Sequence, residues 1–226
     1  MKKIVIAIDG FSSCGKSTLA NQLAKELNYV FVDSGAMYRA ITLFFLENEI
    51  NIKKSIEVDA ALQKIKLEFD YQPELKKSAI YLNEVNVEEK IRDKNINNYV
   101  SIVAANQAVR AFAVAQQQKM GLEKALVMDG RDIGTTVFPN AELKIFVTAD
   151  LEVRVERRFK ELQEKGFITS KLEVENNLLE RDYIDSNRDF SPLKKADDAI
   201  VLDNSLLTKQ EQLQLVLQWA NEKIKE

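Results

Sequence analysis

The segment Gly10-Phe11-Ser12-Ser13-Cys14-Gly15-Lys16-Ser17 constrains this chain more than any other feature. It fits the pattern G-x-x-x-x-G-K-[ST]. An apolar run at residues 4–8 precedes it, and Leu19, Leu23 and Leu27 recur every four residues after it. The pattern predicts a buried strand, a tight loop and an amphipathic helix that begins just after the loop. A loop of this kind turns backbone N–H groups and a helix N-terminus toward one point, which gathers partial positive charge for phosphate oxygens. Lys16 can reach the outer phosphates of a nucleoside triphosphate, and the Ser17 hydroxyl can ligate Mg2+. The residues that would cradle the phosphates are Gly10, Phe11, Ser12, Ser13, Cys14, Gly15, Lys16, Ser17 and Thr18.

Further apolar runs at residues 29–32, 126–128, 143–147 and 199–202 each end in a polar or glycine-containing turn. Continuous apolar runs point to strands covered on both faces. Helical patterns fall at 36–47, 94–120, 151–164 and 208–225. Strand–helix alternation of this kind predicts an α/β fold, with a five-stranded parallel sheet flanked by helices. One stretch departs from it. Ile65, Leu67, Phe69 and Tyr71 alternate with Lys66, Glu68 and Asp70, and short alternating pieces follow on either side of Asn83-Glu84. Residues of about 63–90 therefore read as a small antiparallel β insert with a turn at Asn83-Glu84. With only 7 glycines and 3 prolines there is no obvious linker, so residues 1–226 are expected to form a single domain.

Composition removes several classes of chemistry. The chain has no histidine, which excludes Ser-His-Asp and Cys-His triads, histidine phosphorelays and His-ligated metals. Its one cysteine, Cys14, cannot pair within the chain, which suits a reducing compartment. Cys14 stands beside a helix start, so it is either a thiol of lowered pKa, sensitive to oxidation or alkylation, or an inert small filler. The net charge of −3 gives no footprint for sequence-blind nucleic-acid binding. No apolar run reaches membrane-spanning length, and the run at 4–8 is too brief for a signal peptide. The expectation is a cytoplasmic protein with no nucleic-acid or membrane partner, and nothing demands more than a monomer.

A phosphate loop alone does not name a reaction, since switches, motors and small-molecule kinases all use one. The rest of the chain narrows the choice. Leu126-Val127-Met128-Asp129 is an apolar strand ending in a carboxylate that can hold Mg2+ through water, and Gly130-Arg131-Asp132 follows at once. Asp33-Ser34-Gly35 ends another strand and leads to Arg39, whose planar fork suits a phosphate. Arg154, Arg157 and Arg158 share one helix face, and Arg181, Asp185 and Arg188 share another, with Asp185 placed to hold the two arginines. Solvated, ion-paired helix faces look the same; beside a phosphate loop these stripes become candidate clamps for transferring charge. Lys165-Gly166-Phe167 offers a turn on which the first stripe could close as a lid over about 152–167. If the acceptor is itself a phosphate, its second pKa near 6 makes it nucleophilic without a general base.

These residues resemble the bacterial cytidylate kinase family. The resemblance rests on Ile8-Asp9-Gly10 leading into the loop, Asp33-Ser34-Gly35-Ala36-Met37-Tyr38-Arg39, and Asp129-Gly130-Arg131-Asp132-Ile133-Gly134-Thr135. It extends to Phe138-Pro139, Leu162-Gln163-Glu164-Lys165-Gly166, and Arg181-Asp182 with Asp185, Asn187 and Arg188. Phe11 and Ser13 depart from it, standing where the family usually has Pro or a small residue and a nearby Gly. The resemblance implies a P-loop kinase fold and transfer of the γ-phosphate of ATP to CMP or dCMP with Mg2+. It implies that Ser34, Arg110, Arg131, Asp132 and Arg188 surround the cytosine and acceptor phosphate, with Arg39 and Arg181 also on that phosphate. Ser101 and Asp185 would lie near the sugar, the acceptor-binding part would cover about 33–110, and Arg157 would lie in the lid over ATP. Lys16, Arg131, Arg157, Arg181 and Arg188 would carry catalysis, and Ser17 and Asp129 the metal. Two other readings stay open at this stage: a kinase for UMP, AMP or shikimate, and a nucleotide-dependent switch, which would leave the arginines outside the loop unexplained.

Overall fold

The structure, a computed structural model, describes residues 2–72 and 77–226. Along the chain the elements are β1 (Val5–Gly10), α1 (Lys16–Leu27), β2 (Val30–Asp33), α2 (Ser34–Glu47), α3 (Ser55–Leu62), β3 (Leu67–Gln72), β4 (Lys77–Leu82) and β5 (Val85–Asn86). There follow α4 (Lys94–Ala105), α5 (Gln107–Met120), β6 (Leu126–Gly130), β7 (Leu143–Thr148), α6 (Leu151–Glu164), α7 (Lys171–Asn187), β8 (Ile200–Asp203) and α8 (Lys209–Lys225). A five-stranded sheet runs in the order β2-β6-β1-β7-β8, and a three-stranded sheet in the order β3-β4-β5. The expected α/β fold, its parallel sheet and its antiparallel insert are all present.

The chain divides into two compact units. One combines the segment up to Phe31 with Gly121–Glu226, and the other is Val32–Met120. In the first, β1 is central and paired in parallel on both sides, Val5 with Leu126 of β6 and Ile6 with Leu143 of β7. Every residue of β1 is buried, as a strand covered on both faces must be. Ile4, Ile6 and Ile8 pack with Leu19 and Leu23 of α1, Val127, Ile145, Leu202 and Val216. The four-residue spacing of the α1 leucines is thus the stripe that seats the helix on the sheet. At the far end, Thr208 and Glu211 form a capping box that starts α8.

The second unit builds its own core from Met37 and Ile41 of α2, Val58 of α3, Ile80 and Leu82 of β4, and Val103, Val109 and Ala113 of α4 and α5. Its insert turns where the sequence indicates. Asn83 and Glu84 both have positive φ, 49° and 70°, the backbone of a tight two-residue hairpin turn.

Two readings of the helices need correction. The Ala- and Gln-rich stretch at 94–120 is two helices, because Asn106 takes an extended ψ of 129° and its Oδ1 accepts from the N–H groups of Ala108 and Val109 at 3.0 and 3.2 Å. An asparagine that caps the following helix this way ends the preceding one. The stripe Arg181, Asp185 and Arg188 also does not lie wholly on a helix, since α7 ends at Asn187 and Arg188 is its extended C-cap. Among the described residues no helix is long and apolar enough to cross a membrane.

Candidate active site

The loop after β1 is shaped by contacts that leave little choice of residue. A Cβ on Gly10 would lie 2.0 Å from the Val147 carbonyl oxygen, and its φ is +149°. Gly15 has φ +89° and is the N-cap of α1, with no side-chain cap on the helix amides. Uncapped N-terminal amides are what an anion can bind. Ser13 takes φ 58°, a left-handed conformation in which glycine is the less strained residue. Phe11 is accommodated by packing, its ring edge-on to Phe146 at 5.7 Å and beneath the Arg154 guanidinium at 5.4 Å.

Lys16 is 5% exposed, and its Nζ donates to the Phe11 carbonyl at 2.5 Å and to Cys14 Sγ at 3.6 Å. Burial, reinforced by the charge of Arg131, holds its pKa below the usual lysine value, opposed by Asp129 and Asp182. Such an ammonium gains most from a bound anion. Cys14 itself is fully buried in the core. Ser17 Oγ donates to Asp129 Oδ2 at 2.8 Å.

Three carboxylates organise the arginines of this unit. Asp185 accepts from Arg131 Nε at 2.9 Å and pairs with Arg188 Nη1 at 3.6 Å. Arg188 Nη2 lies 3.5 Å from Asp132 Oδ1, with both side chains buried. Arg131 Nη2 donates to Ser12 Oγ at 3.0 Å, so this arginine reaches the phosphate loop itself. Burial works against the Arg131 charge, but Asp185 and Asp182 outweigh it and raise its pKa. Asp182 accepts from the Ser12 N–H at 2.9 Å and from Arg154 Nη1 at 2.5 Å.

A further carboxylate, Asp9, accepts from the N–H groups of Ile133 and Gly134 at 2.8 and 2.7 Å, which ties β1 to the π-helical turn Ile133–Val137. Burial pushes its pKa up to about 6 against those two hydrogen bonds. The arginines of α6 separate into three tasks. Arg154 is buried on the loop, Arg157 binds Asn204, and Arg158 pairs with Glu161 at 2.8 Å. Arg181 is half-buried on α7. Gly166, with φ +78°, closes the turn between α6 and α7, which pack through Val155, Val174 and Leu178.

In the unit Val32–Met120, Asp33 caps α2 by accepting from the Ala36 N–H at 3.0 Å and from Arg39 Nη2 at 2.7 Å. Burial would raise the Asp33 pKa, but the charges of Arg39 and Arg92 bring it below the usual value. Ser34 is buried in the first turn of α2, and Ser101 is buried on α4. Arg110 of α5 is 3% exposed, its guanidinium 5.2 Å above the Tyr38 ring and its Nη1 donating to the Ala104 carbonyl at 3.2 Å. Ser34, Tyr38 and Arg39 share α2, so this unit gathers two arginines around one helix.

The sequence profile described as cytidylate kinase matches residues 6–222. The chain belongs to the cytidylate kinase family. It is 56% identical over 231 residues to a cytidylate kinase of Flavobacterium johnsoniae, covering 100% of this chain and 99% of that one. It is also 56% identical over 215 residues to a cytidylate kinase of Bacteroides fragilis, covering 94% of each. Solved structures of similar fold include a gluconokinase from Sinorhizobium meliloti, with a TM-score of 0.52, 12% identity and coverage of 99% and 94%. A shikimate kinase from Acinetobacter baumannii has a TM-score of 0.50, 12% identity and coverage of 98% and 94%. At that identity the structures speak for the fold alone.

Within this cytidylate kinase family member, the oxygen donors around the loop suit Mg2+. The Ser17 hydroxyl and the Asp129 carboxylate are hard ligands, and among the described residues no group of three or more His, Cys, Asp or Glu forms a closed metal cage. Mg2+ keeps several waters and completes its shell with phosphate oxygens, so two protein donors are enough. Three buried side chains of the site went unassigned in the sequence reading: Asp9, Asp182 and Asn204. Asp9 and Asp182 stand inside quoted motifs, and Asn204 in the turn that ends the last strand, but their partners lie far away along the chain.

Proposed function

We propose that the protein transfers the γ-phosphate of ATP to CMP or dCMP, giving ADP and CDP or dCDP. The observation that carries this reading is the Arg131–Ser12 contact. An arginine locked by Asp185, which also pairs with Arg188, touches the phosphate loop directly. A loop that only held a nucleotide has no use for a second set of buried cations; a phosphate donor beside a phosphate acceptor does.

Residues 10–18 and Lys16 hold the donor phosphates. To the acceptor we assign Ser34, Arg39, Ser101 and Arg110, and also Arg131, Asp132, Arg181, Asp185 and Arg188. Lys16, Arg131, Arg157, Arg181 and Arg188 supply fixed positive charge for the oxygens of the phosphoryl group in flight, and such preorganised charge is the main catalytic resource in this chemistry. Buried ion pairs keep Arg131 and Arg188 from collapsing onto substrate or solvent before reaction. Ser17 and Asp129, the latter through water, would hold Mg2+, which supplies further neutralisation of the donor phosphates. The acceptor phosphate is largely dianionic near neutrality, so the absence of histidine costs the reaction nothing.

The test is coupled ADP release with ATP and Mg2+ against CMP, dCMP, UMP, AMP and shikimate. Rapid turnover confined to the cytidylates is expected, because a site that hydrogen-bonds the cytosine amino group leaves buried polar groups unpaired with uracil. Turnover fastest with any other acceptor would overturn the assignment.

A further inference from the structure

We infer that Asn204 is a positioning residue that holds the phosphate loop and Arg157 in one frame. The inference rests on the reading of ATP as donor. Asn204 follows β8 and is fully buried. Its Nδ2 donates to the Cys14 carbonyl at 2.8 Å and to Gln212 Oε1 of α8 at 2.9 Å. Its Oδ1 accepts from Arg157 Nη1 at 2.9 Å, and its main-chain oxygen from Arg157 Nη2 at 3.0 Å. Its own N–H donates to the Thr148 carbonyl at 3.0 Å. Both donors of the amide are in use, and its oxygen holds one prong of the Arg157 fork.

The contact with Cys14 fixes more than a carbonyl. The 14–15 peptide is trans, so the Cys14 C=O and the Gly15 N–H point in opposite directions. With the carbonyl turned to Asn204, the Gly15 N–H is turned away from it. Gly15 has no side chain to keep its peptide in place, and it takes a left-handed φ of +89°. Asn204 Nδ2 lies against it, 3.6 Å from where a Cβ would stand. A flip of this peptide would present an oxygen instead of an N–H to the donor phosphates, exchanging attraction for repulsion. Asn204 opposes that flip from outside the loop. The same side chain receives one prong of the Arg157 fork and its main chain the other, so the guanidinium is oriented by the residue that orients the loop.

The experiment compares Asn204→Ala and Asn204→Asp with the unaltered protein. ATP and CMP are varied separately in steady-state assays, ATP binding is measured by calorimetry without acceptor, and melting temperature is recorded. Asn204→Asp keeps nearly the same volume and the acceptor for Arg157, but sets a carboxylate oxygen against the Cys14 carbonyl. Both variants are expected to raise KM and Kd for ATP about tenfold or more, since a buried carbonyl loses its donor. KM for CMP is expected to stay within about twofold, and Asn204→Asp to bind ATP at least as poorly as Asn204→Ala. Gln212→Ala, which removes the α8 partner and leaves the loop and Arg157 contacts in place, is expected to leave ATP affinity nearly unchanged. Unaltered ATP affinity in Asn204→Asp, equal rises in both KM values, or an equal loss in Gln212→Ala would overturn the inference. If the unaltered protein fails to phosphorylate CMP, the reading of the acceptor falls, while calorimetry with ATP still decides the part of Asn204.

Discussion

Asp9 carries a measurable electrostatic cost, and Asp9→Asn exposes it. The carboxyl is buried at the end of β1, accepts two main-chain hydrogen bonds, and has a pKa pushed up from 3.8 to about 6 by burial. At about 1.4 kcal/mol per pKa unit, that rise corresponds to about 3 kcal/mol between the protonated and ionised forms. The folded state therefore holds its proton to higher pH than the unfolded chain does. Stability is free of the cost at pH values below 3.8 and falls as pH rises toward and through 6. About 2 kcal/mol of the change should appear between pH 4.5 and pH 7.5. Asparagine cannot ionise, so it lacks this slope. It also accepts only one of the two hydrogen bonds, a loss of about 1–3 kcal/mol at every pH. Urea unfolding followed by fluorescence of Trp219, at a series of pH values, measures both. The native protein should be clearly more stable than Asp9→Asn near pH 4.5, and the gap should close by about 2 kcal/mol at pH 7.5. A gap that stays constant, or widens with rising pH, refutes the argument.

Lys16→Ala should lower kcat with ATP and CMP by about 10²–10³-fold, the usual cost of losing one preorganised charge, as read by coupled ADP release. Arg188→Ala should reduce kcat/KM for CMP far more than it disturbs ATP binding; equal losses for both nucleotides would contradict its assignment to the acceptor. The same variant removes a buried cation from beside Asp132 and Asp185, so its melting temperature should also fall. Asn106→Ala removes the cap of α5 and should cost about 1 kcal/mol, visible as a melting point about 2–4 °C lower with kinetics little changed.

The layers of the fold were readable because buried parallel strands and amphipathic helices write their periods directly into the chain. Residues 4–8, 126–128 and 143–147 sit inside β1, β6 and β7 apart from a residue or two at the ends. The helix break at Asn106 was not readable, because in a run of Ala and Gln its identity as a cap depends on where its side chain turns. The eight residues of α3 lack an apolar stripe long enough to announce a helix. At the site, the loop and the strand-end acids follow from local spacing. Which carboxylate answers which arginine does not. Arg181 and Arg188 are four and three residues from Asp185, yet the closest hydrogen bond to Asp185 comes from Arg131, 54 positions away along the chain. Asn204 bonds a carbonyl 190 positions distant. Partners of that kind are chosen by the folded chain, and no local window contains them.

The pairing of β1 also dictates an order of events at the ribosome. The strand that leads into the phosphate loop leaves the exit tunnel before either of its neighbours, since both strands that flank it lie beyond residue 125. All the residues of Val32–Met120, with a core of their own, emerge in the interval. Synthesis runs from the N-terminus and neighbouring segments condense before distant ones. The inserted unit thus has time to assemble while β1 still waits with two bare edges, and the nucleotide cradle takes shape after it.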